Sequence, residues 1–158
     1  MEKIIEKIAE AEKIIRSMDH LIYVVYPLIS EPKLFLKCVE ELEIAIKKLI
    51  SCILFHESFF KRIRISESPE KNLQTFFDKC AVRYNFSKFQ IFQINELFEL
   101  MREHRKNQME FKRNENYVIF VDGKTRTINL EKVKEFILLS KAVLLNTKKI
   151  SEKYKNMI

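Results

Sequence analysis

"IIEKIAEAEKIIRSMDHLIYVV", residues 4–25, decides the fold. Ile4, Ile8, Ala11, Ile15, Met18, Ile22 and Val25 recur at steps of four and three. That spacing lays one apolar seam along a helix of 3.6 residues per turn. Ile5, Ile14 and Leu21 widen the seam. Pro27 presses on the preceding turn and brings no N–H, so the helix is expected to end near Tyr26 or to kink there.

The same period continues downstream. Ser30-Glu31-Pro32 reads as the start of a second helix, with Ser30 as cap and Pro32 in the first turn. Phe35, Cys38, Leu42, Ala45, Leu49, Cys52 and His56 form its stripe, with Val39, Ile46, Ile50 and Ile53 beside them. A stripe that wide predicts a central helix with more than one neighbour. "KRIRISESPEK" (61–71) breaks the pattern, and Ser68-Pro69 opens a third helix carrying Leu73, Phe76, Phe77, Cys80 and Tyr84. Asn85 is placed to end it. Ser87 and Gln90 have the spacing of a capping box for a fourth helix, whose core side is Ile91, Ile94, Leu97, Phe98 and Met101.

Residues 117–128 change character. Tyr117 to Val121 favour a strand, Asp122-Gly123 is a hairpin turn signal, and "KTRTI" (124–128) returns. Asn129 then caps a last helix with Val133, Ile137, Ser140 and Leu144 on its inner side. The expected fold is mainly α, a four- to five-helix bundle with one small β-hairpin before the last helix. It occupies residues 1–158 as a single domain.

Composition agrees. The chain has 158 residues and one Gly, where ordinary usage gives about eleven. Sheet-rich folds need many tight turns and the positive φ that Gly supplies. A chain of this length buries roughly 70% of its unfolded surface and needs no metal or disulfide to fold. Cys38, Cys52 and Cys80 form no Cys-x-x-Cys pair and read as reduced, packed thiols. "LIYVVYPLI" (21–29) is far shorter than the about 20 residues of a membrane span. The charged, amphipathic first residues do not resemble a signal peptide, so a cytoplasmic location is expected, with no membrane partner.

Several chemistries lose support. One Gly permits neither a P-loop nor a dinucleotide fingerprint. Ser17, Ile53 and Met101 stand three residues before His20, His56 and His104, so the Glu-x-x-His pairs of carboxylate-bridged metal bundles are missing. No metal and no cofactor are expected. His56-Glu57 is a weak acid–base pair, because adjacent helical residues diverge by about 100°.

The net charge is +7, which suits RNA or an acidic protein partner. Two groups are proposed as nucleic-acid contacts. One is Lys61, Arg62 and Arg64; the other is Arg105, Lys106, Lys112 and Arg113, diluted by Glu103, Glu110 and Glu115. Lys148, Lys149, Lys153 and Lys155 form a further basic group near the C-terminus. Phe111 and Tyr117 can stack on bases or pin the hairpin to the bundle, and the marginal stability of a lone hairpin favours pinning.

Two Arg/His pairs remain, Arg102 with His104 and Arg16 with His20. The helical plan with such pairs is similar to HEPN-type domains, helical bundles that are often dimeric and of which many cleave RNA. That resemblance implies a metal-independent ribonuclease in which the His moves a proton and the Arg steadies phosphate charge. The chain departs from that family's motif, whose Arg and His stand farther apart than in either pair. The resemblance is therefore one of fold class.

The leading expectation is a non-enzymatic binding module. A ribonuclease is the first alternative, and a homo-oligomer joined through the first-helix seam is the second.

Overall fold

The computed structural model describes residues 2–106 and 109–156. Helix α1 spans residues 2–29, as an α-helix over Glu2–His20, a wider π turn over Leu21–Val25 and a last turn over Tyr26–Ile29. Helix α2 is Lys33–Phe59. Helix α3 spans 69–80, α-helical over Pro69–Thr75 and π over Phe76–Cys80. Helix α4 is Lys88–Lys106, and α5 is Leu130–Lys155. Between α4 and α5 lies an antiparallel sheet of β1 (Met109–Arg113), β2 (Asn116–Val121) and β3 (Lys124–Ile128), in that order.

The α1 seam is buried from Ile4 through Ile22. It closes against α2 and α5 of the same chain. The seam is thus consumed within the chain and is not open to a second copy, which removes the surface on which the expected first-helix dimer was built. Past Ile22 the phase slips. Tyr26 is buried and Val25 only half-buried, because the π turn, closed by the Tyr26 N–H on the Leu21 carbonyl, inserts an extra residue. Pro27 explains the slip: the wider turn relieves its ring against the Tyr23 carbonyl and needs no N–H from it. The helix therefore neither ends at Tyr26 nor stops at the proline.

Ser30 ends α1 and does not cap α2. It takes φ +55°, and its N–H bonds the Tyr26 carbonyl at 2.7 Å. Entry into α2 is served by Glu31, whose carboxylate accepts the Lys33 N–H at 3.3 Å. Helix α2 lies at the centre and packs against α1, α3, α4, α5 and β2.

The other local signals behave as expected. Ser68 Oγ accepts the Lys71 N–H. Ser87 and Gln90 exchange two bonds at 3.0 Å, and Asn129 Oδ1 accepts the Lys132 N–H at 2.8 Å. Asp122 and Gly123 both take positive φ, +52° and +76°, the conformation of a tight I′ hairpin turn.

One strand was not expected. β1, "MEFKR", carries no β-branched residue and is mostly exposed, so neither propensity nor alternation marks it. It makes the hairpin three-stranded, which a two-stranded ribbon needs for stability. Tyr117, Ile119 and Val121 face the bundle core, while Val118 is covered on the outer face between its cross-strand neighbours Phe111 and Thr127.

Candidate nucleic-acid interface

The C-terminal end of α2 presents Phe55, Phe59 and Phe60 to solvent, 48%, 58% and 45% exposed. They fall outside the stripe that faces the bundle. Phe59 and Phe60 meet edge to face, with ring centroids 5.3 Å apart. The chain leaves the helix through a Schellman turn: Lys61 N–H bonds the Ser58 carbonyl at 2.9 Å, and Arg62 N–H bonds the Glu57 carbonyl at 3.0 Å. The residue in the left-handed conformation is Lys61, at φ +59°. Gly is the usual occupant, and an L-side chain there costs about 1 to 2 kcal/mol. Asn85 closes the end of α3 in the same way, at φ +64°, and Asn tolerates that conformation. A lysine there is strained backbone beside a charged surface.

A buried clamp holds the turn. Glu57 is fully buried. Its carboxylate takes Arg62 Nη1 at 2.9 Å and Tyr84 Oη at 2.8 Å, and it pairs closely with Arg83. Burial pushes the Glu57 carboxyl up, but the bonds from Tyr84 and Arg62 and the charges of Arg83 and Arg62 outweigh it, so the group stays below its ordinary range. Arg62 also stacks over the Phe60 ring at 5.2 Å. It ties the loop back to the end of α2, on the same carboxylate that takes Tyr84.

Around this clamp, Lys61, Arg62, Arg64 and Lys79 border a shallow hollow of about 330 Å³. Ile63 is its buried floor. Among the described residues, Lys61, Arg64 and Lys79 make no ion pair, and Asp78, next to Lys79, accepts instead from Gln74 at 2.9 Å. Three exposed cations thus share one hollow with Arg62, which reaches over the exposed Phe60 ring. Sequence reasoning finds Lys61, Arg62 and Arg64 but does not reach Lys79, Phe59, Phe60 or Arg83. The signal for the rings was local: Phe59-Phe60 directly precedes Lys61-Arg62 at a helix end. Lys79 joins only through tertiary packing.

The second basic group is largely neutralised inside the fold. Arg105 forks onto buried Glu43 at 2.8 and 3.4 Å, and Lys106 meets Asp122 at 3.6 Å. Lys112 reaches Glu31 at 2.5 Å. Arg113 makes no ion pair among the described residues.

Arg102 and His104 point different ways, being about 200° apart on the helix. Arg102 pairs with Glu99 at 2.6 Å. His104 sits between two carboxylates, Glu40 at Nε2 (2.9 Å) and Glu110 at Nδ1. Glu110 also accepts from Tyr117 Oη at 2.7 Å, and burial together with that bond pushes the Tyr117 phenol up to about 12. These contacts tie α2, α4 and the sheet together. Tyr117 therefore pins the sheet, with its ring in the core. Arg16 and His20 do share a surface, a shallow hollow along α1 with Lys13 and Ser17, where Arg16 pairs with Glu12 at 2.7 Å.

His56 is buried, and desolvation lowers its pKa. All three cysteines are buried, and burial raises Cys38 to about 12 and Cys52 and Cys80 to about 11. Thiols held that high are poor nucleophiles. Among the described residues, no group of three or more His, Cys, Asp or Glu side chains is placed to hold a metal ion, and no helix is long and apolar enough to cross a membrane. No family model, no curated protein and no solved structure matches this chain.

Proposed function

We propose that this protein is a non-enzymatic binding module that takes single-stranded RNA at the C-terminal end of α2. The observation that carries the reading is that Lys61, Arg64 and Lys79, which make no ion pair among the described residues, line one hollow with Arg62, whose guanidinium lies over the exposed Phe60 ring beside exposed Phe59. Cations neutralise the phosphate backbone and release its counterions. Aromatic faces stack unpaired bases without demanding a sequence, at about 1 to 3 kcal/mol per base. The strained turn at Lys61 holds one of these cations beside the rings.

The test is the affinity for an unstructured RNA oligonucleotide at several salt concentrations. Wild type is expected to weaken steadily as salt rises, with a log–log slope near −0.7 per phosphate contacted. Arg64→Glu with Lys79→Glu is expected to lose at least tenfold in affinity and to flatten that slope, with the fold intact. Phe59→Ala is expected to weaken binding with the slope unchanged. Undetectable RNA binding, or a double variant as tight as wild type, overturns the reading.

Cleavage of RNA is a second reading, favoured by the shared face of Arg16 and His20. In it His20 transfers a proton and Arg16 steadies the phosphate. It requires RNA cleavage in the presence of chelator that His20→Ala abolishes. Equal activity in the two proteins, or none in either, rejects it.

A further inference from the structure

Two shallow hollows meet past the end of α2. The smaller, of about 330 Å³, is bordered by Lys61, Arg62 and Arg64 from the turn and by Thr75 and Lys79 from α3. Its neighbour, of about 510 Å³, is bordered by Ser58, Lys61, Arg64 and Ile65. Ile63 lines both. Lys61 and Arg64 thus stand on the boundary between the two. The Schellman turn fixes the backbone at Lys61, and burial of Ile63 anchors the segment that carries both cations.

The charge here is one-sided. Among the described residues, no carboxylate lines either hollow, and Lys61, Arg64 and Lys79 make no ion pair. Arg62 is paired with Glu57, but Glu57 also holds Arg83, so that cluster sets two positive charges against one negative. Asp78, next to Lys79 in the chain, accepts from Gln74 at 2.9 Å and does not line the hollow. The Thr75 hydroxyl donates to the Lys71 carbonyl at 2.9 Å. The donors left open are therefore the N–H groups of Lys61, Arg64 and Lys79.

Three unmatched cations around one hollow exceed what an internal phosphodiester, with its single negative charge, balances. A phosphate monoester carries about −1.5 to −2 at pH 7 and offers three strong acceptor oxygens. Lysine meets such oxygens as a point charge, and arginine meets two of them as a fork. Resting on the RNA reading above, we propose that the smaller hollow binds the terminal phosphate monoester of the RNA strand. The adjoining hollow, beside Ser58 and Ile65, takes the next part of the strand across Lys61 and Arg64.

The experiment compares three forms of one unstructured RNA of roughly eight nucleotides: hydroxyl ends, a 5′-phosphate or a 3′-phosphate. Each is labelled internally and titrated by fluorescence polarisation against the full chain. At least one phosphorylated form is expected to bind tenfold or more tighter than the hydroxyl form, and that arm identifies the end. Lys79→Gln and Arg64→Gln are each expected to cut the preference to twofold or less. Inorganic phosphate at millimolar concentration and constant ionic strength is expected to do the same. Phe59→Ala is expected to weaken all three forms alike and to keep the preference. Lys79, Arg64 and Phe59 are exposed, so these variants keep the fold, which circular dichroism checks. Equal affinity for the three forms overturns the inference and leaves the RNA reading standing, since the hydroxyl form alone tests that reading. Undetectable binding of every form overturns both. A preference that survives both glutamine variants overturns the inference, as does a phosphoserine peptide bound as tightly as the favoured RNA.

Discussion

At the end of α4, Arg102, Arg105 and Lys106, together with Lys112 on β1, each reach a carboxylate. At the end of α2, Lys61 and Arg64, joined by Lys79, reach none among the described residues. As sequence, the two segments look alike: basic residues that follow an apolar helical stripe. The difference lies in what faces them. Helix α4 ends against α2 and the sheet, where Glu43, Glu40, Glu110 and Asp122 stand. The α2 turn spends one carboxylate, Glu57, on Arg62 and Arg83 and leaves its other cations to solvent. A surface is electropositive where cations outnumber the carboxylates within reach, so the count of Lys and Arg along a segment does not measure it.

The comparison can be broken most severely at Glu57. Glu57→Ala leaves Arg62, Arg83 and Tyr84 without their common acceptor, and we expect a loss of about 3 kcal/mol in urea unfolding. The pH dependence has a definite sign. The Glu57 carboxyl is held below its ordinary value of 4.5, so its contribution is fully present above that value and is lost as pH falls through the folded-state value. Glu57→Gln is expected to flatten the acid limb of the stability curve. An unchanged acid limb would show that the clamp contributes nothing.

On the neutralised side, Arg105→Ala strips buried Glu43 of its fork, leaving Lys47 at 3.6 Å. About 1.5 kcal/mol of stability should go, with no change in RNA affinity. A loss of affinity there without a loss of stability would reverse the roles assigned to the two segments.

Lys61→Gly sharpens the contrast, because its effects should oppose each other. Relief of the left-handed lysine should raise stability by about 1 kcal/mol, while removal of a cation from the hollow lowers RNA affinity. Raised stability with unchanged affinity would make Lys61 a packing accident.

The smallest effect is expected at Arg102→Ala, where the pair with Glu99 is exposed on both sides. Stability should move by no more than about 0.5 kcal/mol. A larger loss would mean that α4 depends on this pair.

Much of the fold was legible because its signals are local. The α1 seam, the Ser87/Gln90 box, the Asn129 cap and the Asp122-Gly123 turn are each decided by residues within a few positions of one another. Ser30 was misread because its role depends on which helix claims it, and serine suits either side of the break. The phase slip at Leu21–Val25 escaped because a period of 3.6 does not anticipate an inserted residue. β1 escaped because its pairing with β2 supplies what its own propensity lacks. For the candidate interface, Lys61, Arg62 and Arg64 were visible, but their division into a clamped arginine and open neighbours was not. Arg102 and His104 looked like partners only while the rest of the fold was absent.

By itself, the sequence determined that apolar side chains recur at helical spacing and that one ribbon turns at the only glycine, because backbone geometry and solvent aversion act over a few residues. Tertiary structure alone decided which cations are cancelled and which rings stay in water. Those outcomes depend on distances between groups far apart along the chain, and such distances exist only once the helices have packed.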